Sequence, residues 1–146
     1  MSTLALARPS KSVAVTVLGL STLLWGGAYA AWGGYFIFEG AAVLGHLWAT
    51  APVDGDFQRS FAHLAVVVGV VILLRGVLGL LGGLGVLMRK QWGRLLTLIV
   101  AVLAIWGGLH SLGGRYPAIA TAQLLYGILA FVVLRKNSAE FSRPRV

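Results

Sequence analysis

Arg75 is the residue of this chain best placed to do chemistry, because it is a full charge inside an apolar segment. It lies near the middle of the stretch from Phe61 to Met88, which has no proline and no other lysine, arginine, aspartate or glutamate. A charge at the bilayer centre costs about 2.5–3.5 kcal/mol on insertion scales, and such a residue usually faces protein or water. Arg75 is therefore expected to bind an anion, a lipid phosphate, an acid of a partner subunit or backbone carbonyls.

Few other polar side chains lie in the apolar segments, and no acid is among them. We predict that Gln123 and Tyr126 accompany Arg75 in a site for a partner or ligand. The remaining candidates are short hydroxyl side chains: Ser21, Thr22, Thr97 and Thr121. Without an acid inside a span, proton transport by a carboxylate relay is disfavoured.

The three histidines, His46, His63 and His110, are expected near one side of the membrane. Neutral imidazole ligates metals and haem iron. Ala62-His63-Leu64 also resembles, over three residues, the chlorophyll-ligating segment of light-harvesting polypeptides. Ordinary interfacial hydrogen bonding is the expected role of these histidines, and the alternative is that His63 and His110 ligate a pigment, haem or metal.

The composition excludes several classes of function. Cysteine is absent, so no disulfide, thiolate metal site or cysteine nucleophile exists in the sequence. No phosphate-binding loop, zinc-protease motif or serine-hydrolase motif occurs, and we predict that the protein is not an enzyme. The net charge of +8 lies mainly at the ends of apolar segments, which favours membrane lipid over nucleic acid as the basic residues' partner.

Four apolar segments position these residues, and they predict an all-α membrane protein in a single domain. A helix needs about 20 apolar residues to cross a bilayer. Ala28-Tyr29-Ala30 offers a signal-peptidase site in the first segment, but the apolar run continues to Phe38 and favours a retained helix. The predicted spans are residues 13–38, 61–88, 95–112 and 117–134, with a loop over 39–60 and a basic hairpin over 89–94.

The distribution of basic residues predicts the orientation. Lysine and arginine concentrate on the side of both termini and of the 89–94 hairpin, whereas the opposite loops carry only Arg59 and Arg115. The positive-inside rule then places both termini in the cytoplasm. A basic rim facing lipid is expected to comprise Arg89, Lys90, Arg94, Arg135 and Lys136.

Glycines recur every seven residues in the first two spans. Gly40 continues the first series, and Gly79 adds a small-xxx-small step to the second. Such residues let helices approach closely where lipid gives no hydrophobic drive between them. The packing residues are Gly19, Gly26, Gly33, Gly69, Gly76, Gly79 and Gly83. They are expected to pack either within one bundle or against a partner or second copy.

Two similarities concern the whole architecture. Leu24-Trp25-Gly26-Gly27 parallels Ile105-Trp106-Gly107-Gly108, which makes a duplicated helical hairpin plausible. The segment GLGVLMRKQWGRL, residues 83–95, resembles a hairpin of small bacterial four-helix membrane proteins of unknown function. That resemblance implies a four-helix bundle and brings no catalytic residue with it.

Three functions remain open from the sequence. The first is a non-enzymatic accessory or assembly subunit, held by its glycine-lined faces to another membrane protein or to itself. The second is a small anion-selective channel or transporter that uses Arg75. The third is a pigment-, haem- or metal-binding subunit that uses His63 and His110.

Overall fold

The computed structural model describes residues 12–50, 55–114 and 117–141, and these form four helices and one short 3-10 turn. The helices are α1 (Val13–Thr50), α2 (Gly55–Leu87), α3 (Gln91–Ser111) and α4 (Pro117–Lys136), and the 3-10 turn is Ser138–Glu140. Each helix contains a stretch long and apolar enough to cross a membrane. This confirms the prediction of an all-helical protein with four spans of transmembrane length.

The predicted loop over residues 39–60 is wrong, because helix occupies most of it. α1 continues to Thr50 and α2 already begins at Gly55. The segment after Glu39 is rich in alanine and leucine and meets no proline before Pro52, so nothing in it stops a helix. Asp54 and the side chain of Asp56, which fall in this predicted loop, lie outside the described residues.

The predicted basic hairpin over residues 89–94 is shorter in the structure, because α3 begins at Gln91. Gly93 belongs to the helix and packs against Gly85 of α2, leaving no room for a β-carbon on either residue. The turn itself is Met88 to Lys90. Its conformation follows a helix-ending pattern in which the Lys90 amide donates to the Gly85 carbonyl, while Arg89 takes the left-handed conformation that glycine usually occupies.

The glycine series of α1 and α2 face each other along an antiparallel interface. A β-carbon built on a glycine of α1 would lie 2.7–3.3 Å from a backbone oxygen of the opposing α2 residue. A spacing of seven keeps both series on the facing sides as the helices wind around each other. The opposed pairs are Gly19 with Gly83, Gly26 with Gly76, Gly33 with Gly69, and Gly40 with Ala62.

The α1–α2 hairpin extends well beyond the other two helices. Thr97 of α3 lies beside Gly82 of α2, so Ser111, fourteen residues further along α3, is level with about residue 68 of α2. From that level α2 continues for thirteen residues to Gly55, which is about 20 Å of helix. We call residues 34–50 of α1 and 55–68 of α2 the hairpin extension. The end of the bundle near Ser111 is called the loop end.

At the opposite end, called the terminal end, one carboxylate joins three parts of the chain. Glu140 forms an ion pair with Arg89 at 3.0 Å and accepts a hydrogen bond from the Ser12 amide at 3.3 Å. Arg89 also donates to the Ser12 carbonyl and to the Thr16 hydroxyl. Phe141 is buried beside Leu134 in the small apolar core at this end. These contacts hold both ends of the described chain to the α2–α3 turn.

Replacing adjacent glycines of α1 with alanine should give opposite effects. At Gly33 the new β-carbon would lie 2.7 Å from the Gly69 carbonyl oxygen, whereas at Gly34 nothing lies within 4 Å. We expect Gly33→Ala to lower the free energy of unfolding by about 1–3 kcal/mol. Gly34→Ala should leave it unchanged or raise it by up to about 1 kcal/mol. Thermal unfolding in mild detergent measures both, and equal melting temperatures would contradict the observed interface.

Glu140→Ala should loosen the terminal end, because it removes a charged partner from both Arg89 and Ser12. A hydrogen bond to a charged group contributes about 1.5–3 kcal/mol, and the stability loss is expected in that range. Hydrogen exchange should accelerate at the Ser12 and Thr16 amides. Glu39→Ala removes an exposed carboxylate at the far end of α1 and is the matched control. Unchanged exchange in Glu140→Ala would show that the ion pair does not hold the ends.

Candidate functional site

Arg75 lies in the interior of the bundle against an aromatic ring of α1. Its guanidinium carbon is 4.4 Å from the centre of the Tyr29 ring, a cation–π contact. Such a contact contributes about 0.5–2 kcal/mol, depending on how far it is removed from water. The antiparallel pairing of the glycines places Tyr29 and Arg75 at nearly the same level of the two helices. Tyr29 therefore supplies Arg75 with a π face and no counter-charge.

Gln123 of α4 completes one wall of this site. Its amide nitrogen donates a short hydrogen bond to the Tyr29 hydroxyl and so joins α4 to α1. Gly107 of α3 lies against both polar groups, since a β-carbon there would be 3.2 Å from Gln123 Oε1 and 3.4 Å from an Arg75 terminal nitrogen. The absent side chain of Gly107 thus makes room for the guanidinium and the amide.

The positive charge of Arg75 has no anionic partner among the described residues. Its Nε is buried without a hydrogen-bond partner, and the described carboxylates Glu39 and Glu140 do not pair with it. A cavity of about 10 Å³ adjoins the guanidinium, close to the smallest volume that holds one water molecule. A buried charge without a partner is costly, so the site is electrostatically suited to an added anion or polar oxygen.

The guanidinium lies nearer the loop end than the centre of the bundle. The register set by Gly82 and Thr97 places the Arg75 backbone level with about Ala104 of α3, whereas its guanidinium reaches Gly107. Gly107 is four residues, about 6 Å, from the last residue of α3. The side chain therefore leans along α2 towards the loop end, as a long basic side chain does when it shortens its path to water.

An aromatic groove lies next to the Arg75 cavity, between α1 and the loop ends of α3 and α4. Its volume is about 610 Å³, within the range of small-molecule sites. Trp25, Tyr29 and Gln123 border both the groove and the cavity, so the Tyr29–Gln123 hydrogen bond separates the two. The other groove residues are mostly apolar or small: Ala28, Trp32, Phe36, Ile72, His110, Ser111, Gly114, Ile119 and Ala120.

Tyr126 borders the Arg75 cavity but has its own hydrogen-bond partner. Its hydroxyl shares a 2.8 Å hydrogen bond with the Thr22 hydroxyl, and Thr22 donates to the Leu18 carbonyl. Because the two hydroxyls are hydrogen-bonded to each other, Tyr126 links α4 to α1 on the terminal-end side of the Arg75 cavity. The structure thus brings Arg75, Gln123 and Tyr126 around one cavity.

The remaining hydroxyl candidates lie away from Arg75. Ser21 and Thr121 each donate to the carbonyl four residues earlier on their own helices. Thr97 is fully buried beside Gly82 at the α2–α3 contact, and its hydroxyl has no hydrogen-bond partner among the described residues. These side chains serve local helix geometry and packing.

The histidines do not form a metal cluster in the described part of the chain. No group of three or more metal-ligating side chains lies together there. His63 is bonded through Nδ1 to the Arg59 carbonyl, and His110 similarly to the Trp106 carbonyl. His110 borders the aromatic groove, whereas His63 lies on the hairpin extension, level with no part of α3. Pigment or haem ligation by these two residues stays a prediction.

Two important residues are absent from the sequence-based candidates. Tyr29, whose ring contacts Arg75, lies in an apolar segment that contains several other aromatic residues. Nothing in the sequence distinguishes it from them. A pairing of the two glycine series would have placed it close to Arg75. Glu140 follows the last span in a short polar tail, and only the structure shows that it closes on Arg89.

Replacing Arg75 with methionine is expected to leave the protein as stable as before or more stable. The substitution removes a charge from an apolar environment and gives up one cation–π contact. Tyr126→Phe, which only breaks the hydrogen bond to Thr22, should instead cost about 1 kcal/mol. Thermal unfolding in the same detergent compares them. A larger loss in Arg75→Met would show that the arginine is mainly structural.

Comparison with known proteins identifies no relative of this chain. No protein-family model matches the chain, and neither a curated protein nor a solved structure matches it. The resemblance of residues 83–95 to small bacterial four-helix proteins therefore stays a prediction. The function has to be inferred from the shape, polarity and dimensions of this chain.

Proposed function

We propose that this protein is a non-enzymatic accessory or assembly subunit of a membrane complex, with its termini on the cytoplasmic side of a bacterial inner membrane. The observation that carries the proposal is that the α1–α2 hairpin extends past α3 and α4 and exposes large apolar side chains there. The partner is a second membrane polypeptide whose apolar surface covers the hairpin extension.

The lengths of the helices can be compared with the bilayer directly. α3 has 21 residues, about 32 Å, which matches a hydrocarbon core of about 30 Å. The described part of α1 that contains its span has 34 residues, about 51 Å, and includes the charged Glu39. Even at a tilt of about 40°, the upper end of the usual range, this length spans about 39 Å. The apolar run before Glu39, residues 13–38, is about 39 Å long and spans about 30 Å at the same tilt, so the part of α1 that lies beyond the layer matched by α3 is the hairpin extension.

The described surface of the hairpin extension carries large exposed apolar side chains. Phe38 on α1 and Leu64 on α2 lie on it with most of their area exposed, and the exposed carboxylate of Glu39 follows Phe38. Exposing such surface to water costs about 25 cal/mol for each Å². Contiguous exposed apolar patches of this kind mark protein–protein or membrane contacts. Contact with a partner polypeptide removes the cost without changing the tilt of α3 and α4.

The glycine series are less suitable as the partner surface. The glycines of α1 already pack against those of α2, so a partner inserted there would have to separate the two helices. The exposed side chains of the extension are available without any rearrangement. The accessory role is therefore assigned to the extension, and the glycines are assigned to holding it straight.

A channel receives less support from a single copy. The cavity beside Arg75 holds about one water molecule, and the apolar groove beside it is separated by the Tyr29–Gln123 hydrogen bond. An anion path through the described residues would have to open both. The basic rim is also partly occupied, since Arg89 is paired with Glu140, while Lys90, Arg135 and Lys136 remain exposed at the terminal end.

Photo-crosslinking in the native membrane tests the accessory role with matched positions on one helix. A photoreactive side chain at Phe38 lies on the extension, whereas one at Leu24 lies within the span of α3. Their exposed fractions are 71% and 76%, so accessibility does not distinguish them. Leu64 and Leu74 of α2 form a second pair, at 57% and 58%.

We expect Phe38 and Leu64 to give a discrete adduct with one polypeptide, and Leu24 and Leu74 to give mainly lipid adducts. Mass spectrometry of the adduct separates a copy of this chain from a different subunit. Lipid adducts at all four positions would overturn the proposal. Native mass spectrometry of the gently extracted protein is the independent check, because a lone monomer there would contradict an accessory role.

A further inference from the structure

We propose that the aromatic groove and Arg75 together form a binding site for a long-chain carboxylate, a fatty acid taken from the surrounding bilayer. The site shares only Phe36 with the hairpin extension, so this inference goes beyond the accessory role and does not depend on it. The acyl chain occupies the groove, and the carboxylate reaches the guanidinium.

The groove has the properties of an acyl-chain site. Trp25, Trp32 and Phe36 line it from α1, and Ile72 and Ile119 line it from α2 and α4. Its volume of about 610 Å³ is that of a single small-molecule ligand. It lies between α1 and α4, which contact each other at few positions, chiefly through the Tyr29–Gln123 and Thr22–Tyr126 hydrogen bonds.

The polar groups at the inner wall of the groove indicate which polar end group the ligand carries. Arg75 carries an unneutralised charge with a buried, unpaired Nε. Tyr29 and Gln123 form the wall between groove and guanidinium, and each brings a donor once their mutual hydrogen bond opens. A carboxylate presents two oxygens to these donors, and a guanidinium matches its planar geometry.

The size of the cavity distinguishes a carboxylate from a phospholipid headgroup. The space at the guanidinium is about 10 Å³ and lies about 6 Å inside the loop end of α3. A carboxylate has three heavy atoms and would enter when the Tyr29 and Gln123 side chains move apart and enlarge this space. A phosphodiester would have to bring its glycerol and second acyl chain below the interface as well. The smallest anionic head on one chain is therefore the occupant that fits.

Binding would occur by displacement of the Tyr29–Gln123 hydrogen bond. In the unliganded arrangement this bond keeps the acyl groove apart from Arg75. An entering carboxylate replaces the bond by ion pairing with Arg75, and the two side chains become donors to its oxygens. The arginine thus gains the counter-charge that no described residue provides.

Fluorescence quenching in bilayer nanodiscs of phosphatidylcholine tests the inference. The probe is stearate with two bromine atoms near mid-chain, which quenches nearby indoles, and Trp25 and Trp32 line the groove. Its methyl ester has the same chain without the charge. Replacing both tryptophans with phenylalanine keeps aromatic rings in the groove and removes the indoles that report binding.

We expect saturable quenching by the acid that is much weaker in the double tryptophan variant, in which Trp106, packed on His110 at 4.5 Å, is the indole left near the groove. The ester should require at least about tenfold higher concentration, as should the acid with Arg75→Met, because a charge-assisted contact is lost in both cases. Arg135→Met makes the same chemical change at the terminal end and should leave binding unchanged.

Several results would overturn the inference. Equal binding of acid and ester would indicate an apolar groove without head recognition. Stronger Arg75-dependent quenching by brominated phosphatidylglycerol would assign the site to a phospholipid headgroup. Absence of saturable quenching would exclude the site, as expected if a partner's carboxylate neutralises Arg75 instead. If Arg75→Met does not fold, the acid and ester compared on the unaltered protein still decide. These results are independent of the accessory role, because they are expected whether or not Phe38 crosslinks to a partner polypeptide.

Discussion

The close contact between α1 and α2 is the constraint on which the rest of the structure depends. Opposed glycines bring the two backbones so near that a single methyl group at Gly33 would meet the Gly69 carbonyl. In a bilayer, where lipid tails are as apolar as leucine, such contact relies on dispersion forces over a long matched surface. The four successive pairs fix both the register and the straightness of the hairpin, and they allow it to continue past α3 and α4 as one unit.

The same register creates the polar site. With Gly26 opposite Gly76, Tyr29 and Arg75 come to the same level on the two helices, and the ring contacts the guanidinium. Because α1 follows α2 so closely, it touches α4 at few positions, and the space between α1 and the ends of α3 and α4 becomes the aromatic groove. The tight interface on one side of α1 and the open groove on the other both result from the close packing of α1 against α2.

The sequence predicted the parts that depend on composition and missed those that depend on pairing. Four spans and the start of α4 at Pro117 follow from apolar length and proline chemistry, and the structure agrees with them. The prediction of a loop over residues 39–60 is wrong because α1 and α2, packed against each other, continue as helices past the ends of their apolar runs. Tyr29 was missed because its role depends on which residue of α2 lies opposite. The seven-residue spacing of the glycines predicts that each helix has a packing face. Only the pairing of α1 with α2 shows which residues of the two helices lie opposite each other.

The uneven helix lengths and the unpaired arginine have a common physical consequence. A self-sufficient bundle would match its four helices to one bilayer and neutralise its internal charges. In this chain the described part of α1 is about 19 Å longer than α3, and no described acid neutralises Arg75. A buried charge without a partner costs free energy in an isolated monomer, as does apolar surface exposed to water. We propose that each cost is offset by a different kind of binding: apolar surface by a second polypeptide, and buried charge by an anionic group reached through the groove.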